Sequence, residues 1–321
     1  MSQTLSAFVH SLRHETGNIL DVELRPTESG ALFPSFEAGA HIDLHLPNGL
    51  VRSYSLINPL ERPERYRVAV LLAPDSRGGS RFVHEQLRVG TQIAISPPRN
   101  LFRLQEDAPH SFLLAGGIGI TPLYAMLQRL TQLGRSVDLV VCARARAQAA
   151  FLGDAHALAG PGVRIQEHMD DEAGTPPDLQ TLLGAQPAGT HFYCCGPAAM
   201  IQAFESTCAS LGHEHVHVER FASAPSAGAV VATAAYQLCL RRSGRTLDVD
   251  PAQPLLDTVL AAGIDVPFSC REGICGACET PVLGGAVTHR DSVLSVADQR
   301  ANRSMMLCVS HGCGPLLELD L

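Results

Sequence analysis

The chain has 321 residues, enough for two or three domains of about 100–200 residues each. Its composition, 45% hydrophobic and 17% charged, excludes a disordered protein. The net charge is −8, all 24 basic residues are Arg and no basic run occurs, so neither nucleic acid nor an anionic membrane is an expected partner. Because we find no membrane-length apolar run and no secretory signal, we expect a cytoplasmic protein whose ten Cys are reduced thiols or metal ligands.

The first stretch, residues 1–107, has the pattern of β structure. Residues 41–46 alternate strictly, and 66–72 and 91–96 are further strand candidates that end at turn signals. Several short strands separated by turns predict a small antiparallel barrel.

One strand of this barrel carries Arg52-Ser53-Tyr54-Ser55, and alternation places Arg52 and Tyr54 on one face. An aromatic ring beside an Arg suits a flat phosphorylated cofactor, because the ring stacks and the cation binds the phosphate. The segment Arg77-Gly78-Gly79-Ser80 could surround the same phosphate with backbone N–H groups and a hydroxyl. A surface Arg and a core Tyr would give the same pattern, so the motif alone leaves both interpretations open.

The middle stretch, residues 108–223, alternates strands and helices. Apolar strands are predicted at 111–115, 137–142 and 191–195, and a helix is predicted from about Pro122 to a stop at Gly134. This alternation predicts an α/β domain with a parallel sheet and helices on both faces.

The loop Gly116-Gly117-Ile118-Gly119-Ile120-Thr121-Pro122 joins the first of these strands to its helix. Its glycines permit close approach of a pyrophosphate to a helix start, where Thr121 is the predicted N-cap. A second loop, Cys195-Gly196-Pro197, follows another strand at its carboxyl end, where open parallel sheets bind ligands. Together the loops predict a nicotinamide site, and ordinary tight turns are the alternative for each.

Residues 224–234 are uncharged and rich in Ala with Pro, Ser and Gly, which predicts a linker to a third unit at 235–321. In that unit Cys270, Cys275, Cys278 and Cys308 have the C-x4-C-x2-C spacing, with a distant fourth Cys, that is typical of plant-type [2Fe–2S] ligands. A four-thiolate zinc site or unrelated buried cysteines are the alternatives, although zinc sites usually have a second C-x2-C pair.

In their order along the chain, these motifs resemble the phthalate dioxygenase reductase family, which includes the vanillate O-demethylase reductases. The resemblance covers essentially the whole chain and implies a multidomain α+β protein. Its domains would be an FMN-binding antiparallel Greek-key β-barrel at 1–107, an α/β NAD-binding domain at 108–223 and a β-grasp ferredoxin domain at 235–321.

The resemblance also implies roles for individual residues, none of them an acid–base catalyst. Phe221 resembles an aromatic residue that covers the flavin until nicotinamide displaces it, so that Phe221 and Tyr54 would flank the flavin. For His289-Arg290-Asp291 only a packing role is expected. FMN would be held by Arg52, Ser53, Tyr54, Ser55, Arg77, Gly78, Gly79 and Ser80, NAD by Gly116, Gly117, Gly119, Thr121, Cys195, Gly196 and Pro197, and the cluster by Cys270, Cys275, Cys278 and Cys308.

The activity implied is that of a monomeric oxidoreductase. NADH would reduce FMN, and single electrons would pass through the [2Fe–2S] cluster to a separate Rieske-type non-haem iron oxygenase that dioxygenates or demethylates an aromatic acid. Alternatives are a cytochrome P450 or another monooxygenase as the acceptor, a redox-sensing protein, and a zinc protein. Residues 143–147 contain Arg144 and Arg146 but no acid, which leaves NADPH possible beside NADH.

Overall fold

The computed structural model of the chain describes residues 4–58, 62, 64–74, 76–222, 235–250 and 252–321. The chain forms two compact units, Gln3–Arg220 and a second that contains Phe221–Leu321. The predicted linker at 224–234 lies outside the described residues, and the division into three domains stays a prediction.

The first unit begins with a six-stranded antiparallel sheet in the order β4-β3-β6-β1-β2-β5. A bridge between Leu56, just after β4, and Val68 in β5 joins the two edges of the sheet. Alternating apolar side chains fill the interior, so the predicted antiparallel barrel is confirmed. The elements are β1 (Leu5–Thr16), β2 (Ile19–Pro26), β3 (His41–His45), β4 (Val51–Ser55), β5 (Tyr66–Leu71), α1 (Gly79–Glu85) and β6 (Gln92–Ile95).

The same unit continues with a five-stranded parallel sheet in the order β11-β10-β7-β8-β9. β7 and β8 are buried along their whole length, as expected of strands covered by helices on both faces. α2 packs on one face, and α5 and α6 pack on the other. The elements are β7 (His110–Gly116), α2 (Ile120–Gln132), β8 (Val137–Ala143), α3 (Leu152–His156), β9 (Val163–Met169), α4 (Asp170–Ala173), α5 (Leu179–Gly184), β10 (Thr190–Cys195), α6 (Ala198–Leu211) and β11 (Val216–Glu219).

The start of α2 differs from the prediction. Thr121 was expected to be the N-cap, but the helix begins at Ile120 and its N-cap is Gly119. A 3₁₀ turn over Gly117–Gly119 already gives the chain a helical conformation before Thr121 is reached. The Thr121 hydroxyl therefore donates backward to the Ile118 carbonyl oxygen at 3.0 Å instead of capping the helix.

The second unit contains a five-stranded mixed sheet in the order β13-β12-β18-β14-β16. β12 and β18 run parallel at its centre, and α7 packs Leu255, Leu256 and Val259 into its core, which is the predicted β-grasp arrangement. Within the described residues, no helix is long and apolar enough to cross a membrane. The elements are β12 (Tyr236–Leu240), β13 (Arg245–Val249), α7 (Leu255–Ala261), β14 (Glu279–Gly284), β15 (Val287–Thr288), α8 (Val296–Ala301), β16 (Ser304–Met306), β17 (His311–Gly312) and β18 (Leu316–Leu319).

Candidate functional site

The structure brings the two barrel motifs together at the start of α1. Arg52 extends from β4 across Gly79, and its Nη2 atom donates to the Arg77 carbonyl oxygen at 3.2 Å. A β-carbon at Gly79 would lie 2.7 Å from the Arg52 Cγ and Nε atoms, so glycine leaves the room that the guanidinium side chain occupies. We call Arg52, Arg77, Gly78, Gly79 and Ser80 the Arg52 cradle.

The loop of the Arg52 cradle is tied together by serine hydroxyls. Ser80 donates to the Ser76 hydroxyl oxygen at 2.9 Å, and that oxygen accepts from the Gly78 amide at 3.3 Å. Arg81, which the sequence analysis did not single out, also donates its amide to Ser76 and is exposed beside Arg77. With no acidic residue in the first turn of α1, this donor set suits a phosphate.

Beside the Arg52 cradle, β4 presents groups that suit a flat polar ring. Tyr54 is half-buried at the edge of the barrel core, and burial raises its pKa to about 12 against the opposing charge of Arg52. Ser55 is buried, and its hydroxyl has no hydrogen-bond partner among the described residues. Because a buried hydroxyl without a partner costs free energy, Ser55 fits a site that a bound polar group completes. Ser53 instead donates to the Asp43 carboxylate at 2.6 Å.

The two glycine loops of the parallel sheet meet at the carboxyl ends of β7 and β10. These strands are neighbours, with Ala115 opposite Cys195. A β-carbon at Gly116 would lie 2.6 Å from the Pro197 Cδ atom, and one at Gly119 would lie 2.2 Å from the Cys195 carbonyl oxygen. The loops therefore pack backbone against backbone, at the edge where open parallel sheets bind nucleotides.

Glu219, the last residue of β11, is a site residue that the sequence analysis missed. It lies opposite Cys195 in the sheet, and its Oε2 atom is buried without a hydrogen-bond partner among the described residues. Burial raises the pKa of Glu219 to about 8 and the pKa of the Cys195 thiol well above its usual range. Both groups therefore hold protons at neutral pH. The only sequence signal is an acidic residue at the end of an apolar strand, directly before Arg220.

Phe221 lies two residues after β11, where the chain passes from the first compact unit to the second. It is 39% exposed, which is unusual for a large aromatic residue and leaves its ring available to another group. Its predicted place against the flavin stays a prediction.

Residues 143–147, which begin at the last residue of β8 and contain no acid, acquire acidic partners from another part of the chain. Arg146, in the stretch without an acid, is ion-paired with Glu172 at 3.1 Å and with Glu167, both from the region of β9. These carboxylates raise the pKa of Arg146. Arg144 is exposed and forms no ion pair within the described residues, so it is the guanidinium available to a ligand.

In the second unit the four predicted cluster ligands lie together. Cys275, Cys278 and Cys308 are buried, whereas Cys270 is half-buried. The Glu272 amide donates to the Cys270 sulfur at 3.3 Å, and the Cys270 amide donates to the Cys275 sulfur at 3.5 Å. Amide donors of this kind stabilise a charged iron–sulfur cluster.

The cysteine sulfurs also interact with one another. Hydrogen bonds with Cys275 and Cys308 lower the pKa of Cys270, and a hydrogen bond with Cys308 lowers the pKa of Cys278. Within the described ranges, no three His, Cys, Asp or Glu side chains are grouped to hold a metal ion. The sulfurs instead form a continuous series of interactions from Cys275 through Cys270 and Cys308 to Cys278.

Two family models match the chain. The 2Fe-2S iron-sulfur cluster binding domain matches residues 240–312, which include all four cysteines, and the oxidoreductase NAD-binding domain matches residues 113–206, which include both glycine loops. The chain is therefore an oxidoreductase with an NAD-binding domain and a [2Fe–2S] domain.

Similar proteins extend over the whole chain. Phenoxybenzoate dioxygenase subunit beta from Ectopseudomonas oleovorans is 44% identical over 99% of this chain and 97% of its own length. The structure of phthalate dioxygenase reductase, described as modular for electron transfer from pyridine nucleotides to [2Fe–2S], is 31% identical, with a TM-score of 0.71 over 99% of this chain and 98% of that one. An intact type IV self-sufficient cytochrome P450 monooxygenase is 37% identical, with a TM-score of 0.89 over 99% of this chain, which spans only 41% of that protein.

Proposed function

The chain belongs to the phthalate dioxygenase reductase family, and on that premise we propose that it carries electrons from NADH through FMN and a [2Fe–2S] cluster to a separate oxygenase component. The observation that supports this most directly is that one chain combines the paired glycine loops of a nucleotide site with four cysteines whose sulfurs are linked by hydrogen bonds. A hydrolase or a binding module would have no use for that combination.

FMN, when bound, accepts two electrons as a hydride and gives them up singly, as a one-electron cluster requires. The Arg52 cradle would hold its phosphate, because Arg52, Arg77 and Arg81 supply positive charge where the backbone of Gly78 and Gly79 allows close approach. The Ser55 hydroxyl would form a hydrogen bond with the polar edge of the flavin ring. Tyr54 would stack on that ring as a neutral phenol.

The paired glycine loops would bind the nicotinamide half of NADH. Gly116, Gly119 and Gly196 offer backbone N–H groups rather than side chains, which lets the ligand approach closely. Cys195 and Glu219 lie at the same edge and are neutral, so neither opposes the approach of a hydride donor. Glu219 would hold the proton that must enter or leave the site as the redox state changes.

In the second unit Cys270, Cys275, Cys278 and Cys308 would bind the two irons. Three of these sulfurs are buried, and Cys270 alone is half-buried, so electrons would leave the cluster most readily on the Cys270 side. The amide of Glu272 would stabilise the charge on the Cys270 sulfur.

For the acceptor we propose an oxygenase that acts on an aromatic acid. The full-length similarity to phenoxybenzoate dioxygenase subunit beta supports this choice. A cytochrome P450 is the second candidate, supported by the similarity to the self-sufficient cytochrome P450 monooxygenase. Electron delivery to each purified oxygenase class, measured as product formed per NADH consumed, would discriminate between the two.

Anaerobic titration of the purified protein with NADH tests the central proposal. We expect the flavin absorbance to bleach and the reduced sample to give the EPR signal of a reduced [2Fe–2S] cluster, with FMN as the flavin released on denaturation. A bleached flavin with no iron–sulfur signal would contradict the cysteine assignment, and a colourless zinc protein would contradict electron transfer altogether.

Two further features belong to this proposal. The protein would act as a monomer, to be checked by sedimentation against its mass of 34.2 kDa. It would work in the cytoplasm, where NADH is available and where the cysteines that do not bind the cluster remain reduced. Cell fractionation would test the second point.

A further inference from the structure

The segment His289-Arg290-Asp291 carries a buried carboxylate. The Asp291 side chain has no exposed surface, and its Oδ2 atom accepts from the Leu294 amide at 2.8 Å and the Val293 amide at 3.2 Å. Its other oxygen, Oδ1, is buried and has no hydrogen-bond partner among the described residues. The Oδ2 atom thus holds the loop that contains Val293 and Leu294, whereas the charge on Oδ1 is not offset by a hydrogen bond from any described residue.

The backbone at Asp291 packs against the loop between Cys270 and Cys275, two of the proposed cluster ligands. Gly273, between Cys270 and Cys275, accepts from the Ser292 amide at 2.9 Å through its carbonyl oxygen. Gly273 has a φ of +68°, and a β-carbon there would lie 3.0 Å from the Asp291 Cα atom. The cysteine loop therefore packs directly on the backbone of Asp291.

The surroundings of Asp291 contain more polar groups than packing requires. The His289 ring is 6% exposed, its Nδ1 atom lies 3.7 Å from Asp291 Oδ1, and neither ring nitrogen has a hydrogen-bond partner within the described residues. Burial, together with the nearby Arg290, lowers the pKa of His311. Since buried polar atoms without partners destabilise a fold, this cluster calls for a functional explanation.

We propose that Asp291 is a positioning residue for the iron–sulfur cluster: the loop that its carboxylate organises supports the cysteine loop, the charge of the carboxylate lowers the reduction potential of the cluster, and His289 moderates that charge. The inference rests on the proposed assignment of the four cysteine ligands. Reduction adds one negative charge to the cluster, and a buried negative charge close to the loop disfavours that added electron. His289, facing Oδ1, offsets part of the repulsion.

The charge and the anchoring can be separated by Asp291→Asn. The amide oxygen of Asn can still accept from Val293 and Leu294, but the negative charge is lost. Asp248→Asn is the matched control, because it removes the same charge from an exposed position. Asp248 lies on β13, an edge strand of the sheet, and β16 is the opposite edge. The measurement is the midpoint potential of the cluster in the holoprotein, from an EPR-monitored titration with dithionite and redox mediators.

We expect Asp291→Asn to shift the midpoint potential upward by clearly more than Asp248→Asn. His289→Leu should shift it downward, because the carboxylate loses the group that moderates it. Equal potentials in Asp291→Asn, Asp248→Asn and the wild type would overturn the inference. A wild-type protein that binds no [2Fe–2S] cluster would instead contradict the proposed function, and iron content together with its EPR signal reveals that case before any variant is compared.

Discussion

Arg52 lies across Gly79 with its Nε atom 2.7 Å from the position that a β-carbon would take on that residue. The two residues belong to motifs that are far apart in the sequence and meet only because α1 begins where β4 presents Arg52. The absence of a side chain at Gly79 therefore leaves room for the Arg52 guanidinium at the start of α1.

Gly79→Ala should weaken FMN binding without unfolding the protein. The new methyl group forces the flexible Arg52 side chain away from the Arg77 carbonyl oxygen and from the proposed phosphate. Loss of one charge-assisted hydrogen bond predicts an FMN dissociation constant that is roughly 10- to 100-fold higher. Fluorescence titration of the flavin-free protein measures it. Gly153→Ala, in a helix with open space around the glycine, should leave FMN affinity unchanged, and an equal loss in both variants would contradict the assignment.

Cys308→Ala should separate the two halves of the electron path. NADH-dependent reduction of ferricyanide, a small acceptor that can take electrons from the flavin, should persist. NADH-dependent reduction of cytochrome c through the cluster should fall by more than the roughly 10- to 100-fold typical of lost outer-shell contacts. Cys313→Ala removes an exposed thiol from the same unit and should leave both rates unchanged. Undiminished reduction of cytochrome c in Cys308→Ala would rule out Cys308 as a ligand on that path.

Patterns with a single physical cause were predictable from the sequence. Strict alternation at 41–46 predicted β3, in which Ile42 and Leu44 face the barrel core and the polar His41 and Asp43 lie on the other face. The apolar run at 137–142 predicted β8, which is buried on both faces. The cysteine spacing predicted the [2Fe–2S] domain, which the match of the 2Fe-2S family model confirms. In each case the signal is a spacing of residue types along the chain, which can be recognised without knowing which distant segments meet.

Features created by contacts between distant segments were not predictable. Residues 143–147 contain no acid, yet parallel pairing of β8 with β9 brings Glu167 to Arg146. Glu219 looks like an ordinary end of a strand, and only the sheet pairing places it opposite Cys195 with its Oε2 atom buried. The predicted N-cap at Thr121 was wrong for a local reason, because the 3₁₀ turn starts the helix earlier.

Glu219→Gln should change the pH dependence of stability. The pKa of Glu219 is raised to about 8 in the folded protein, so between its ordinary value near 4.5 and pH 8 the unfolded chain loses a proton that the folded chain keeps. Stability is therefore lost as the pH rises through this window, and the glutamine variant should be free of this loss, which is roughly 3 kcal/mol between pH 5 and pH 8. Urea unfolding at both pH values measures the difference. Glu214→Gln, at an exposed position, should retain the wild-type dependence, and so would Glu219→Gln if the carboxylate were solvated.

Arg144→Ala should affect NADPH more than NADH. Arg144 is exposed after β8 and has no ion pair within the described residues, whereas Arg146 is held by Glu167 and Glu172. If a 2′-phosphate is recognised here, Arg144 binds it, and its loss should lower kcat/KM for NADPH by roughly 10- to 100-fold while NADH is unaffected. Steady-state reduction of ferricyanide with each nucleotide measures both values. Arg146→Ala, which removes an already neutralised charge, is the matched control. An equal decrease for NADH and NADPH in Arg144→Ala would show that Arg144 supports the fold of the site and does not distinguish the nucleotides.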